Sequence, residues 1–168
     1  MEFKEVIKNR FSTRKFSDKK VEKEILDQIL EAGNLAPTAK NIQPQRIFVV
    51  QSEEWLEKID KVCPCRYNAP TVLVVCADKG SSFHKQEYST YEMDASIVTT
   101  HMMLAATNLG VDNIWIEMFD QEELSKMLNL PEEIVPVCIL NLGYKTDDCQ
   151  INPLHYKRKD ISEIVKYL

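Results

Sequence analysis

Arg10, Ser12 and Arg14 alternate along the stretch Arg10-Phe11-Ser12-Thr13-Arg14. A guanidinium presents a planar fork of donors that grips a phosphate bidentately, and a hydroxyl between two such forks suits the polyol adjoining a terminal phosphate. After an amphipathic helix comes Ala36-Pro37-Thr38-Ala39-Lys40-Asn41-Ile42-Gln43-Pro44, dense in turn formers and hydrogen-bonding side chains. Together these pieces suit a phosphorylated ligand carrying many oxygens. The chain shows no Ser/His/Asp or Cys/His arrangement for nucleophilic catalysis. His84, His101 and His155 lack metal-ligand spacing, so no metal is expected. Five cysteines, an odd count in which Cys63-Pro64-Cys65 lacks the usual two-residue gap, read as free thiols.

The elements that must position these residues follow from periodicity. Residues 22–35 place Ile25, Leu26, Ile29 and Leu30 on one face of an amphipathic helix that Pro37 stops. Residues 46–51 read as a short strand, 53–62 as a helix capped by Ser52, and 71–77 as a buried β-branched strand. From Tyr91 to Leu109 the chain is apolar all round, with Asp94 the only charge between Met93 and Ala106. Such a helix is expected to be buried on all sides, as a central core helix or at a subunit interface. Residues 113–119 read as a strand, Asp120 with Glu123 as a capping box, 135–142 as a strand broken by Pro136, and 161–168 as a last amphipathic turn or two. Helices and strands interleave irregularly, which favours an α+β sandwich over a doubly wound parallel sheet.

At 168 residues, with no repeat, low-complexity tract or long linker, a single domain over residues 1–168 is expected. The net charge of −5 argues against a nucleic-acid partner, so any phosphate-binding charge must be local. The charged start Met1-Glu2-Phe3-Lys4-Glu5 and an apolar run no longer than Val72–Ala77 predict neither secretion nor membrane insertion, and the expected location is cytoplasmic.

Four segments in this order resemble the nitroreductase family of FMN-dependent oxidoreductases, and they cover nearly the whole chain. Arg10-Phe11-Ser12-Thr13-Arg14 is similar to the family's Arg-x-Ser-x-(Arg/Lys). The stretch Ala36 to Pro44 is similar to its Ala-Pro-Ser-x-x-Asn-x-Gln-Pro, with Thr38 in the serine position. The buried helix and Leu109-Gly110 lead to Ile114-Trp115-Ile116-Glu117-Met118-Phe119, as in the family's strand beside the flavin ring, although some members carry Gly at Met118. The basic run His155-Tyr156-Lys157-Arg158-Lys159 resembles the C-terminal segment that reaches back to the FMN phosphate.

The resemblance implies a central, mostly antiparallel sheet flanked by helices and a homodimer in which the Pro37–Asn41 loop reaches the other subunit's FMN. It implies FMN binding by Arg10, Ser12, Arg14, Pro37, Thr38, Ala39, Asn41, Glu117, Met118, Lys157 and Arg158, with the Glu117 and Met118 backbone beside the ring. Relatives that carry a flavin-contacting lysine before the central strand have Cys63-Pro64-Cys65-Arg66-Tyr67 as their counterpart here, which leaves open whether Arg66 substitutes. The implied activity is hydride transfer from NADH or NADPH to a small-molecule electron acceptor, a nitroaromatic, quinone or similar compound, by ping-pong turnover. Residues 78–90 are the expected lid, with Phe83, Tyr88 and Tyr91 as stacking candidates. The same arginines would equally serve a non-catalytic FMN reservoir or redox sensor, and a bare dimeric interaction module would carry no flavin.

Overall fold

The computed structural model describes all 168 residues. Six α-helices, α1 (Phe3–Asn9), α2 (Lys23–Asn34), α3 (Glu53–Val62), α4 (Tyr91–Asn108), α5 (Gln121–Met127) and α6 (Ile161–Ile164), accompany six strands. The strands are β1 (Gln45–Val50), β2 (Thr71–Asp78), β3 (His84–Lys85), β4 (Tyr88–Ser89), β5 (Asp112–Ile116) and β6 (Ile134–Gly143). The main sheet runs β1-β2-β6-β5 with every neighbouring pair antiparallel, and β3 and β4 form a small separate hairpin.

Strand β2 explains why the sheet lies between two helical layers. Its β-branched run alternates between faces: Leu73, Val75 and Ala77 enter one core with α2 and α4, while Val72, Val74 and Cys76 enter a second with α3 and α5. A strand buried on both faces needs helices on both. On the first face α2 and α4 meet closely at Gly33, where an added Cβ would sit 2.7 Å from Met102 Cγ.

Several expectations are corrected. Pro136 does not break β6: the strand runs ten residues, and a bulge absorbs the proline, with Val75 opposite Cys138, Cys76 opposite Pro136, and Val137 left over. The strand after α4 ends at Ile116, so Glu117–Phe119 is a loop. Ser52 stands at the start of α3 but its side chain makes no capping bond. Asp120 accepts from the Glu123 amide at 2.9 Å without the reciprocal bond, whereas Asp160 and Glu163 form the complete box on α6. Helix α6 is one turn, with Ile161, Ile164, Val165 and Tyr167 exposed rather than packed along an amphipathic face.

Helix α4 differs most from expectation. Ala95, Val98, Thr99, Met102 and Ala106 are buried, but Met93 is 53% exposed and Ile97, Met103 and Leu104 are only half-buried. Within one chain it is a one-sided core helix whose remaining apolar circumference is left open.

Candidate functional site

The N-terminal segment reaches the site as an extended edge. Ser12 bridges Asn113 in parallel, the Thr13 amide donates to the Asn113 carbonyl at 3.0 Å, and Phe16 bridges Lys145. Extended backbone has a period of two, so Arg10, Ser12 and Arg14 share one side while Thr13 is fully buried on the other. The alternation visible in the sequence is thus the alternation of a strand covering the β5 edge.

On that side lies a cleft of about 260 Å³ lined by Arg10, Ser12, Arg14, Asn152, His155 and Arg158, among others. The C-terminal half of the lining comes from a 3-10 turn, Pro153–Tyr156, which Asn152 opens by accepting from the Leu154 amide at 2.9 Å. His155 packs edge-on against Phe11, which ties that turn to the N-terminal strand. Three guanidiniums therefore meet from both ends of the chain. Arg10 is half-buried, and desolvation, followed by repulsion from Arg158, lowers its pKa from the ordinary arginine value. None of Arg10, Arg14 and Arg158 forms an ion pair with a carboxylate. Lys157 lies outside the lining, and its carbonyl accepts from Arg158 Nη1 at 2.7 Å.

Met118 meets the 63–69 turn. There the Cys65 Sγ lies 4.0 Å from Met118 Sδ. Met118 is 67% exposed, and neighbouring Glu117 is exposed too. Arg10, Ser12, Arg14 and Arg158 thus share one cleft, while Met118 meets Cys65. The contact of Cys65 with Met118 escaped the sequence reading, because nothing in Cys63-Pro64-Cys65 announces which side chains the turn directs there. Arg66, the open question of that segment, is committed elsewhere: it pairs bidentately with Asp60 at 2.6 and 2.5 Å and donates to the Ala69 carbonyl at 2.8 Å.

Pro37, Thr38, Ala39 and Asn41 are not brought to this cleft. They sit at the opposite end of α4, in a loop held by the Ala39 amide donating to Asp94 Oδ1 at 2.8 Å and the Gln43 amide donating to Thr38 Oγ1 at 3.0 Å. Asp94 is buried, and its other oxygen accepts from Thr90 at 2.8 Å. The only buried charge of α4 is therefore the anchor of the loop, a role that its place amid apolar residues could have signalled. Lys40, Asn41 and Gln43 all adopt left-handed backbone, at φ 52, 55 and 57°. The β3–β4 hairpin belongs to the same end: Lys40 Nζ stands 4.6 Å from the centre of the Phe83 ring, Tyr88 is exposed, and Tyr91 donates to Glu92. Thr107, thirteen residues beyond Asp94 on α4, lies beside Arg10. At 1.5 Å per residue, the loop and the arginine cleft of one chain stand about 20 Å apart.

Comparison with known proteins gives the same picture. The nitroreductase family model matches residues 7–66 and 63–144. A protein of Archaeoglobus fulgidus, provisionally named NADH dehydrogenase/NAD(P)H nitroreductase, is 35% identical over 150 residues, covering 85% of each chain. A Bacillus subtilis protein named FMN reductase (NAD(P)H) is 30% identical over 156 residues, covering 81% of this chain and 63% of its own. The crystal structure of a nitroreductase family protein from Clostridium difficile superimposes with a TM-score of 0.93 at 38% identity, covering 99% of this chain and 98% of that one. With the family model running from before Arg10 to past Gly143 and both sequence and fold in agreement, the chain belongs to the nitroreductase family.

Proposed function

We propose that the protein is an FMN-dependent oxidoreductase that takes hydride from NADH or NADPH and reduces a nitroaromatic, quinone or similar acceptor by ping-pong turnover, as a homodimer. The observation that carries this reading is the convergence of Arg10, Arg14 and Arg158 on one cleft with no carboxylate partner. Unbalanced, partly desolvated guanidiniums make an anion site, and the neighbouring Ser12 and Asn152 supply hydrogen bonds for a polyol. This donor set fits FMN.

When bound, the flavin supplies the redox chemistry, and the chain supplies position and field. Arg10 and Arg158 hold the phosphate end, with Lys157 adding to the local positive field. Arg14, always protonated, lines the same cleft and would stabilise negative charge on the pyrimidine edge of a bound flavin. The backbone of Glu117 and Met118 would flank the ring, and no side chain would have to act as nucleophile. A chain of this length has little material for two separate substrate sites, so donor and acceptor use one open face in turn.

The dimer follows from what one chain leaves unfinished. Pro37, Thr38, Ala39 and Asn41 lie about 20 Å from the arginine cleft of their own chain along α4, so they close the cleft of a second copy. The half-open apolar side of α4, with exposed Phe3 and Ile7 on α1, supports such a face. Obligate interfaces bury more than about 2,000 Å².

A visible spectrum before and after anaerobic addition of NADH or NADPH tests the reading. A yellow protein that is bleached by nicotinamide and re-oxidised by a quinone supports it. A yellow protein that is not bleached favours the non-catalytic reservoir, and a protein that neither carries nor takes up FMN refutes both. Light scattering tests the dimer, and a monomer holding FMN tightly would overturn it.

A further inference from the structure

Lysines stand over aromatic rings at four places: Lys19 over Tyr144, Lys40 over Phe83, Lys58 over Trp55 and Lys145 over Phe11, at 4.3, 4.6, 4.4 and 5.9 Å from the ring centres. Lys19, Lys58 and Lys145 also pair with carboxylates, those of Glu22, Glu54 and Asp112. Lys40 alone of these lysines pairs with none. A carboxylate cancels the charge it holds, whereas a ring face steadies an ammonium and leaves its charge for another anion. Both halves of this pair are tied to one point of the fold. Lys40, Asn41 and Gln43 are all left-handed, a backbone that non-glycine residues keep only where the surroundings enforce it. Here the Ala39 amide donates to Asp94 Oδ1, the Gln43 amide to Thr38 Oγ1, and Gln43 Nε2 to the Asn41 carbonyl at 3.1 Å. On the hairpin side Thr90 Oγ1 donates to Asp94 Oδ2, and the Thr90 amide donates to the Phe83 carbonyl at 3.0 Å. Asp94 therefore fixes both the loop that carries the ammonium and the residue whose ring lies beneath it, and both its oxygens are already in use.

Resting on the FMN-dependent dimer proposed above, we propose that Lys40, steadied over Phe83, is a specificity residue that binds an anionic group of the substrate at the second copy's cleft. Lys40 is exposed and lies between Ala39 and Asn41, in the loop that closes that cleft. The cleft's own guanidiniums Arg10 and Arg158 are engaged by the FMN phosphate, so an acidic substrate needs a cation from elsewhere. An ammonium whose loop is already ordered loses little freedom on meeting its anion, which favours binding over what a freely moving surface lysine achieves. The group recognised is a phosphate, carboxylate or sulfonate. Two substrates visit the flavin in turn, so the anion has two sources: the additional ribose phosphate that distinguishes NADPH from NADH, or an acidic substituent on the electron acceptor.

The test reads two ratios within each FMN-loaded protein by stopped flow. Reduction by NADPH is compared with reduction by NADH, and re-oxidation by a naphthoquinone sulfonate with re-oxidation by the unsubstituted naphthoquinone, each at substrate concentrations below saturation. Loss of one exposed charge-assisted hydrogen bond corresponds to about tenfold, so Lys40→Met lowers one anionic-to-neutral ratio about tenfold, and the ratio that falls identifies the source of the anion. Lys40→Arg keeps the charge and the ring contact and holds that ratio within about threefold of wild type. Ratios equal to wild type in Lys40→Met overturn the proposal. So does an equal fall in Lys40→Arg, which would assign the effect to the shape of the loop rather than to its charge. A wild-type protein that takes up no FMN, is not bleached by nicotinamide or holds FMN as a monomer brings down the functional reading and this proposal with it. A wild-type dimer that turns over while Lys40→Met keeps both ratios brings down the proposal alone.

Discussion

Removing the Arg10 guanidinium separates ligand binding from folding, because the two effects have opposite signs. A hydrogen bond to a charged group contributes about 1.5 to 3 kcal/mol, so Arg10→Ala weakens FMN binding by about 10- to 150-fold. Arg10 is half-buried and Arg158 exposed, so solvent screens Arg158 more, and Arg10→Ala costs more affinity than Arg158→Ala. The effect on the FMN-free protein is the reverse. There Arg10 is disfavoured by desolvation and by Arg158, and no carboxylate compensates, so deleting it leaves stability unchanged or raises it by up to about 0.5 kcal/mol. For a chain of this size that is about 1 to 2 °C in Tm. Fluorescence titration of stripped protein with FMN gives the first quantity and thermal denaturation without FMN gives the second. Unchanged affinity in both variants refutes the phosphate assignment. A loss of several degrees in the FMN-free Arg10→Ala variant shows instead that Arg10 holds the fold.

Asp94→Asn replaces one of two buried acceptors with a donor, and should lower stability by about 1 to 3 kcal/mol; an unchanged denaturant midpoint would contradict the anchoring role of Asp94 at Ala39 and Thr90. Arg66→Ala should lose stability through Asp60 and Ala69 but keep FMN affinity within about threefold, and a larger loss of affinity would return Arg66 to the site. Burial pushes the Cys76 and Cys138 thiols up to about 12 from an ordinary 9.0. The folded state holds these protons more tightly than the unfolded chain, so their contribution to stability is complete below pH 9 and is lost as pH rises toward 12. The urea midpoint should therefore fall between pH 8 and pH 10.5, and a flat midpoint would count against this. Gly33→Ala forces Met102 to move and should cost about 1 to 3 kcal/mol of packing, partly offset by up to about 1 kcal/mol of helix propensity; a raised Tm would show that Met102 yields freely.

The sequence was most informative where chemistry and periodicity coincided. Arg10, Ser12 and Arg14 alternate because their backbone is extended, so both their spacing and their common side could be read directly. The layers around β2 were legible for the same reason, since an unbroken β-branched run demands cover on both faces. Pro136 misled because its cost is local: one extra residue in a bulge accommodates a proline that a regular ladder would reject. The circumference of α4 misled in another way, since hydropathy shows that a face must be covered without showing whether its own chain supplies the cover. The 63–69 turn was illegible because it is held by Asn141 of β6, which donates to the Cys65 and Arg66 carbonyls, and by Arg66, whose charge resembled a ligand contact and proved to be a clamp.

Helix α4 sets a length as well as forming a core. Its 18 residues hold the Ala39 loop at one end and the flank of the arginine cleft at the other, a span of about 27 Å. In the proposed dimer each such rod would run from one cleft toward the other and work as a ruler between them. One residue inserted in it would advance everything beyond by about 1.5 Å and turn it by about 100°, misaligning half of each centre at once.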